Sequence, residues 1–489
     1  MKVLLANLPW QRQGRWGVRA GSRWPHIKDE NEGGYLPFPF FLSYAASLLQ
    51  AHGIETILID AIAEQIPEND FLNRVTKIDC DYLVCETSVP SFYEDLSILK
   101  KISSIEIPII LCGPNFEIYH EEFLKQNPYI DFVLCGEYEY TLLELMESLQ
   151  GAKGLSGVAG LIYRNNGAII KNAKREPFDI NILPWPHRDS LPMHKYLDAP
   201  CGMPTPSVQM LASRGCPFGC NFCLWPQVFY QGNHYRTRHI KDVVDEMEYL
   251  VIKKKFKSVY FDDDTFNVGK KRMLEFCNEI IKRNLNNIPW AIMAKADLMD
   301  EQILGAMKKA GLYSIKYGVE SGSQELLDGC GKSLDLKRAE HIIKHTKLLG
   351  IKVHLTFCFG LPGETEQTVA ETIDYSLNLK ADSIQFSIVT PFPGTKLFKD
   401  LDKDGKISTK NWSLYDGQHS CVFYPDNISY IDLEKAKNYA YKRWLDYDEK
   451  RKNLCGSAKK FFACWKTNGL YKALGKAAVK TKPKFKKYL

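Results

Sequence analysis

Residues 213–226 read SRGCPFGCNFCLWP, which sets Cys216, Cys220 and Cys223 at a C-x3-C-x2-C spacing with Phe222 directly before the third cysteine. Three thiols in eight residues, interrupted by Pro217 and Gly219, make neither a regular helix nor a regular strand. Such a loop holds something. A closed structural zinc site asks for four nitrogen or sulfur ligands, and His234 is the sole nearby fourth. Iron–sulfur clusters take thiolates at close spacings of this kind. A cubane held by three cysteines leaves one iron open to another ligand.

The stretch around this loop repeats one pattern. From about residue 206 to 405, short apolar runs alternate with segments of helical period, and each run ends in something polar or turn-forming. SVQMLAS leads into the cysteines, and SVYF ends in Asp262, Asp263 and Asp264. PWAIMA ends at Lys295, SIKYGV at Glu320 and Ser321, KVHLTFCFG at Gly360, and SIQFSIVT at Pro391. Six strand–helix units predict an incomplete barrel of the TIM type, (β/α)6, with chemistry gathered at the rim where the strands end.

Residues 1 to about 150 alternate in the same way. KVLLANL, ETILIDA, DYLVCET, IPIILCG and DFVLCGE read as strands of a parallel sheet covered on both faces. Ligands of such sheets bind beyond the strand C-termini, here Thr87 and Ser88, Gly113 and Pro114, Gly136 and Glu137. Residues 151–205 read as a hairpin across Asn165, Asn166 and Gly167 followed by a linker. Residues 406–489 read as helical, with DLEKAKNYAYKRWLDYDEKRK as one amphipathic helix and the basic tail as the next. The fold class is therefore α/β with a helical C-terminal region.

The bulk figures fit a soluble globular protein of two or three domains: 489 residues, 45% hydrophobic and 25% charged. The start, MKVLLANLPW, reads as a first strand rather than a signal peptide. Residues 33–53 carry no Asp, Glu, Lys or Arg, but Pro37 and Pro39 cut the run, so a buried helix is expected instead of a membrane span. Fourteen cysteines without an export signal indicate reduced thiols and ligands, hence a cytoplasmic protein. Twelve Lys/Arg and no Asp/Glu follow from Arg451 onward, so a body of charge −6 carries a basic tail within a total of +6. Lysines interleaved with Phe461, Phe462, Trp465 and Tyr471 suit an anionic membrane surface. No recognised nucleic-acid module accompanies them.

The cysteine loop, its place after the first barrel strand, and the later runs YGVESGS, FGLPGET and TPFPGT resemble the radical S-adenosylmethionine (SAM) superfamily, in its cobalamin-binding branch. The resemblance implies that Cys216, Cys220 and Cys223 bind a [4Fe–4S] cluster whose open iron chelates SAM. Reduction by a low-potential donor of flavodoxin or ferredoxin type then gives a 5′-deoxyadenosyl radical that acts on an unactivated carbon. It implies SAM contacts for Phe222, Asp263, Asp264, Lys295, Glu320, Ser321 and Gly360. The first 150 residues resemble the cobalamin-binding domain that precedes such barrels, which implies cofactor contacts for Thr87, Ser88, Gly113, Gly136 and Glu137. Two positions depart from the usual pattern. Asp60 is followed by Ala61, Ile62 and Ala63, where many cobalamin domains supply a histidine, and LCGPN stands where Gly-Gly-Pro-His is commoner.

The run CNFCLWPQ…YRTR…FDDDTF is similar to radical SAM proteins of hopanoid lipid biosynthesis, especially the type linked to contraction of a sugar head group. The expected substrate is therefore a small molecule or lipid, altered by C-methylation or ring contraction. A methylthiotransferase acting on RNA or protein would need a second cluster, from Cys80, Cys85, Cys112 and Cys135. A non-catalytic iron–sulfur or cobalamin sensor would leave the barrel-rim motifs without a role.

Overall fold

The computed structural model describes residues 1–19, 25–29, 34–114, 118, 121–151 and 154–468, with side chains through Arg451. It holds one compact unit, Met1–Glu434, and a second, Lys435–Leu489.

The N-terminal sheet contains β1 (Lys2–Asn7), β2 (Glu55–Asp60), β3 (Tyr82–Glu86), β4 (Ile109–Cys112) and β5 (Phe132–Leu134). These five are parallel, in the order β2-β1-β3-β4-β5. The central residues of β1, β3 and β4 are wholly buried, which explains their uninterrupted apolar runs, while the edge strand β2 is buried only over its C-terminal half. The hairpin β6 (Leu161–Asn165) and β7 (Ala168–Lys171) extends the sheet antiparallel along β5. The strand order reverses between β1 and β3, so the switch point of the doubly wound sheet is bounded by Leu8 and by Thr87 and Ser88. The charge-free segment forms helix α1 (Phe40–Ala51), entered from Pro39 and buried on nearly every face in the domain core.

The barrel sheet contains β8 (Ser207–Met210), β9 (Ser258–Phe261), β10 (Trp290–Ala294), β11 (Leu312–Glu320), β12 (Lys352–Phe359) and β13 (Ser383–Ile388). They are parallel and lie in sequence order, each followed by at least one helix: the open six-unit barrel the sequence predicts. A short ladder, Ser213–Arg214 against Arg236–Thr237, brackets the cysteine loop.

The two sheets share an apolar boundary. Leu224 and Val228 pack with Leu8, Val89 and Cys135, while Trp225 and Phe229 pack in the cluster that contains α1. Phe41 stacks on Trp225 at 5.7 Å and meets Phe229 edge-on at 4.4 Å. The widened helical turn Trp225–Phe229, directly after the last loop cysteine, is thus wedged into the N-terminal domain.

Two helices were expected at the C-terminus. One helix, Tyr430–Asn468, spans DLEKAKNYAYKRWLDYDEKRK and runs on into the basic segment. Gly456 does not break it, because a single glycine costs a helix only about 1 kcal/mol. The side chains of Phe461, Phe462 and Trp465, and all of Tyr471, lie outside the described residues. Among the described residues no helix is long and apolar enough to cross a membrane.

Candidate active site

A cavity opens at the C-terminal rim of the barrel, and Cys216, Cys220 and Cys223 all face it. Gly215 makes the entry to the loop. Its φ of +84° is open to glycine, and an added Cβ would lie 1.8 Å from the His234 carbonyl oxygen. The loop is then tied from several sides. The Gln227 amide nitrogen lies 2.9–3.1 Å from the carbonyls of Cys220, Asn221 and Cys223, its oxygen accepts from Lys396 N, and Asn221 N donates to Cys330 O. Cys216 Sγ lies 3.3 Å from the Thr265 hydroxyl. The loop therefore owes its shape to backbone carbonyls caught by one half-buried amide, and its thiols remain half-buried and turned to the cavity.

Electrostatics suit a thiolate-binding group. Burial pushes the Cys220 and Cys223 thiols up, with Lys332 pulling Cys220 back. Burial alone would lower the Lys332 ammonium, but Glu320 and then Cys220 raise it above the ordinary lysine range. A bound cation-rich cluster would take over that compensation of the thiolates. Among the described residues no three His, Cys, Asp or Glu side chains converge on a single metal ion. A cubane places its three thiolates on separate irons, which is what this spread of thiols can serve. His234 does not line the cavity.

The sequence-derived residues divide into two groups. Phe222, Asp264, Lys295 and Glu320 line the same cavity as the thiols. Phe222 also packs against Cys330, Cys358 and Leu361. Asp264 accepts from Gly215 N at 3.0 Å. Lys295 holds Asp297 at 2.5 Å and lies 4.8 Å from the Phe218 ring. Glu320 sits at a register shift of β11 with φ +73°, a strained conformation for a side-chain-bearing residue. Its carboxylate receives Lys332 Nζ at 2.8 Å.

The second group stands back from the cavity. Asp263 is buried and accepts from Ala212 N at 3.1 Å and from the Ser213 hydroxyl, stapling β9 to the segment after β8. Burial lifts its pKa to about 7. Ser321 shares a hydrogen with Thr372 at 3.1 Å and receives Ser323 N, so it shapes the turn after β11. Gly360 N donates to Glu364 Oε2 at 3.0 Å.

Thr87, Ser88, Gly113, Gly136 and Glu137 lie along the C-terminal edge of the other sheet. The Thr87 hydroxyl donates to Cys112 O, and Ser88 pairs with Ser91. Gly136, at φ +74°, permits the Phe229–Gln231 segment to approach: an added Cβ would stand 3.1 Å from Phe229 O. Glu137 carries Arg214 and Arg236 on its two oxygens, at 3.1 and 2.5 Å. Four of these five residues, Thr87, Ser88, Gly113 and Gly136, are small, which fits a broad ring system such as a corrin beside the strand ends, while the charge of Glu137 is already taken up by its two arginines. After β2, Asp60 caps a helical turn, Ala61–Glu64, through Ile62 N and Ala63 N, and this turn supplies no imidazole. Asn115 lies outside the described residues.

Sequence reasoning missed Lys332, Gln227, Thr265 and Lys316. Lys332 stands twelve residues beyond Glu320, past a short helix, and no periodicity marks it. Gln227 follows the cysteines directly, and the three loop carbonyls left without regular secondary structure were the one available hint.

Comparison with known proteins agrees with this fold. The radical SAM superfamily profile matches residues 210–376, and the B12 binding domain profile matches residues 32–146. An uncharacterized methyltransferase of Pyrococcus horikoshii is 31% identical over 384 residues, covering 77% of this chain and 81% of that protein. Anaerobic magnesium-protoporphyrin IX monomethyl ester cyclase of Rubrivivax gelatinosus is 28% identical over 453 residues, covering 86% of this chain and 78% of the cyclase. The solved structure of the radical SAM methyltransferase TsrM from Kitasatospora setae, with tryptophan and aza-SAM bound, shares the fold. Its TM-score is 0.66 at 20% identity, over 83% of this chain and 77% of TsrM.

Proposed function

The chain belongs to the radical SAM superfamily, in the branch that carries a B12-binding domain, and from that membership we propose that it modifies an unactivated carbon of a small-molecule or lipid-type substrate. It is a cobalamin-dependent radical SAM enzyme of methyltransferase type, with a [4Fe–4S] cluster, SAM and cobalamin as cofactors. C-methylation and ring contraction of a sugar-like head group are the two outcomes the reading covers, and a flavodoxin or ferredoxin is the proposed electron donor. The basic tail extends the proposal to contact with an anionic membrane surface in the cytoplasm.

One observation carries the reading: the three thiols of the C-x3-C-x2-C loop share a cavity wall with Glu320 and Lys332. Bound together, cluster, SAM and cobalamin supply hydrogen-abstracting radical chemistry and a transferable methyl group. The protein's own residues bind and orient. Cys216, Cys220 and Cys223 would hold the cluster, and Phe222 lines the cavity beside them, packed against Cys358 of β12. Glu320 and Lys332 are opposite charges 2.8 Å apart, matched to the ammonium and carboxylate of an amino acid. In this reading SAM's methionine end exchanges their mutual contact for two charge-assisted ones.

Lys332→Met is expected to weaken SAM binding by about ten- to a hundredfold, the loss of one charge-assisted contact. Equilibrium dialysis with labelled SAM measures it. The Lys332→Met/Glu320→Gln double variant controls for the unpaired carboxylate, and unchanged affinity in both would remove the pair from the SAM site.

The functional reading is tested by anaerobic reconstitution with iron, sulfide and hydroxocobalamin, followed by SAM and dithionite. Formation of 5′-deoxyadenosine with retained corrinoid is expected. S-Adenosylhomocysteine alongside it indicates methyl transfer, and its absence favours rearrangement. A chain that retains no iron and cleaves no SAM would overturn the reading.

A further inference from the structure

Three lysines line the cavity, and each already faces a carboxylate: Lys295 on Asp297, Lys332 on Glu320, and Lys316 on Asp198 at 2.7 Å. The first two belong to the rim. Lys316 stands at mid-strand on β11, and Thr356 of β12, level with Gly318, and Ser387 of β13, level with Cys358, line the same cavity. Its partner Asp198 comes from the linker ahead of the barrel and is 9% exposed.

The ammonium spends two of its three N–H groups on the two oxygens of Asp198, at 2.7 and 2.8 Å. Its charge is further spread over the Tyr260 ring, 4.6 Å away. Ser387 donates its proton to Phe357 O at 3.3 Å, which leaves its oxygen free to accept. His354, farther down the same strand as Thr356, is held neutral: burial, then Lys316, lowers its pKa to about 3. The inner wall thus offers hydrogen-bonding capacity without net charge. Asp198 does not line the cavity, so the ammonium reaches the cavity wall already neutralised from behind. An anion there would lose its hydration against an ammonium whose charge is already matched, and a cation would meet no carboxylate on this stretch of wall.

We propose that Lys316, Thr356 and Ser387 form the substrate-recognition patch of the cavity, and that it takes an uncharged, hydroxyl-bearing group. Met293, Ile388, Val389 and Phe392, also on the cavity wall, receive the apolar remainder of the molecule. This rests on the enzymatic reading above and narrows its substrate to a neutral amphiphile with a polyol end.

The test uses reconstituted full-length protein with SAM bound, and three probes sharing a six-carbon tail: hexyl β-D-glucopyranoside, hexanoate and hexylamine. Titration calorimetry is expected to give the glucoside at least about tenfold tighter binding than either ion. Thr356→Val should weaken the glucoside about fivefold, the worth of one hydrogen bond. Asp198→Asn leaves the ammonium uncompensated and should turn the preference toward hexanoate. Hexanoate or hexylamine binding to the unaltered protein as tightly as the glucoside overturns the proposal. So does a Thr356→Val variant with unchanged glucoside affinity, which decides the matter even if Asp198→Asn does not fold. SAM binding is measured first in the same cell, and its failure would sink the enzymatic reading rather than the choice of substrate alone.

Discussion

Replacing Cys216, Cys220 or Cys223 by alanine is expected to abolish cluster retention and SAM cleavage, with little effect on folding. In the proposed site each thiol would supply one iron ligand, and His234, the fourth candidate in the neighbourhood, does not line the cavity. Two thiolates do not hold a cubane against loss. The side chains are half-buried and end in the cavity, so the alanine variants remove little packed surface. Iron per chain and the visible absorbance after reconstitution check the first claim, and the melting temperature of the apoprotein checks the second. Cys330 and Cys358 provide the contrast. Both are buried in an apolar cluster against Phe222, so Cys330→Ala should keep its iron while losing about 1–2 kcal/mol of stability. Iron content equal to that of the unaltered protein in all three loop variants would refute the assignment of the loop.

Arg214→Met should destabilise the protein by about 3–5 kcal/mol, the usual cost of breaking a buried ion network. Arg214 is 2% exposed and reaches both Glu139, itself 0% exposed, at 2.7 Å and Glu137 at 3.1 Å. Its guanidinium also covers the rings of Phe41 and Tyr44 at 4.8 and 4.6 Å. Burial raises the Glu139 carboxyl, and Arg214 is the largest influence opposing that rise. Methionine would leave two carboxylates buried against one remaining guanidinium, Arg236. The urea midpoint of the full chain measures the loss. Adding Glu137→Gln and Glu139→Gln should recover a good part of it, because those changes remove the uncompensated charge instead of the partner. Arg214 precedes Cys216 by two residues, so the single variant should also take up less iron. A midpoint shift worth under about 1 kcal/mol would mean that the network is solvated and does not tie the loop to the N-terminal domain.

Both effects turn on positions of unequal visibility in the sequence. The cysteine spacing was readable at once, because ligand geometry is local: the three thiols stand within eight residues, and Pro and Gly exclude other uses of the segment. Every strand of both parallel sheets was readable too, because strands buried on both faces are continuous apolar runs, and their polar ends mark the rim. Asp263 and Asp264 show the limit of that logic. They are adjacent at one strand end, yet Asp264 faces the cavity and Asp263 staples the backbone, since successive residues leave a strand end in opposite directions. Lys295 and Glu320 were legible as polar residues at strand ends, but their partners, Asp297 and Lys332, were not.

The amino-acid sequence by itself determined the two-sheet architecture, the cysteine spacing and the superfamily, because these rest on short-range spacing and on the burial of contiguous runs. Only the tertiary structure decided which charges meet. Lys316 and Asp198 are 118 residues apart, and Arg214 and Glu137 are 77. Such pairs form when two sheets and a linker are packed together, and charges distant in the chain then have to be matched out of reach of water. That matching joins Lys316 to the linker and Arg214, two residues before Cys216, to two carboxylates of the N-terminal domain, and neither pairing is written in any local pattern of residues.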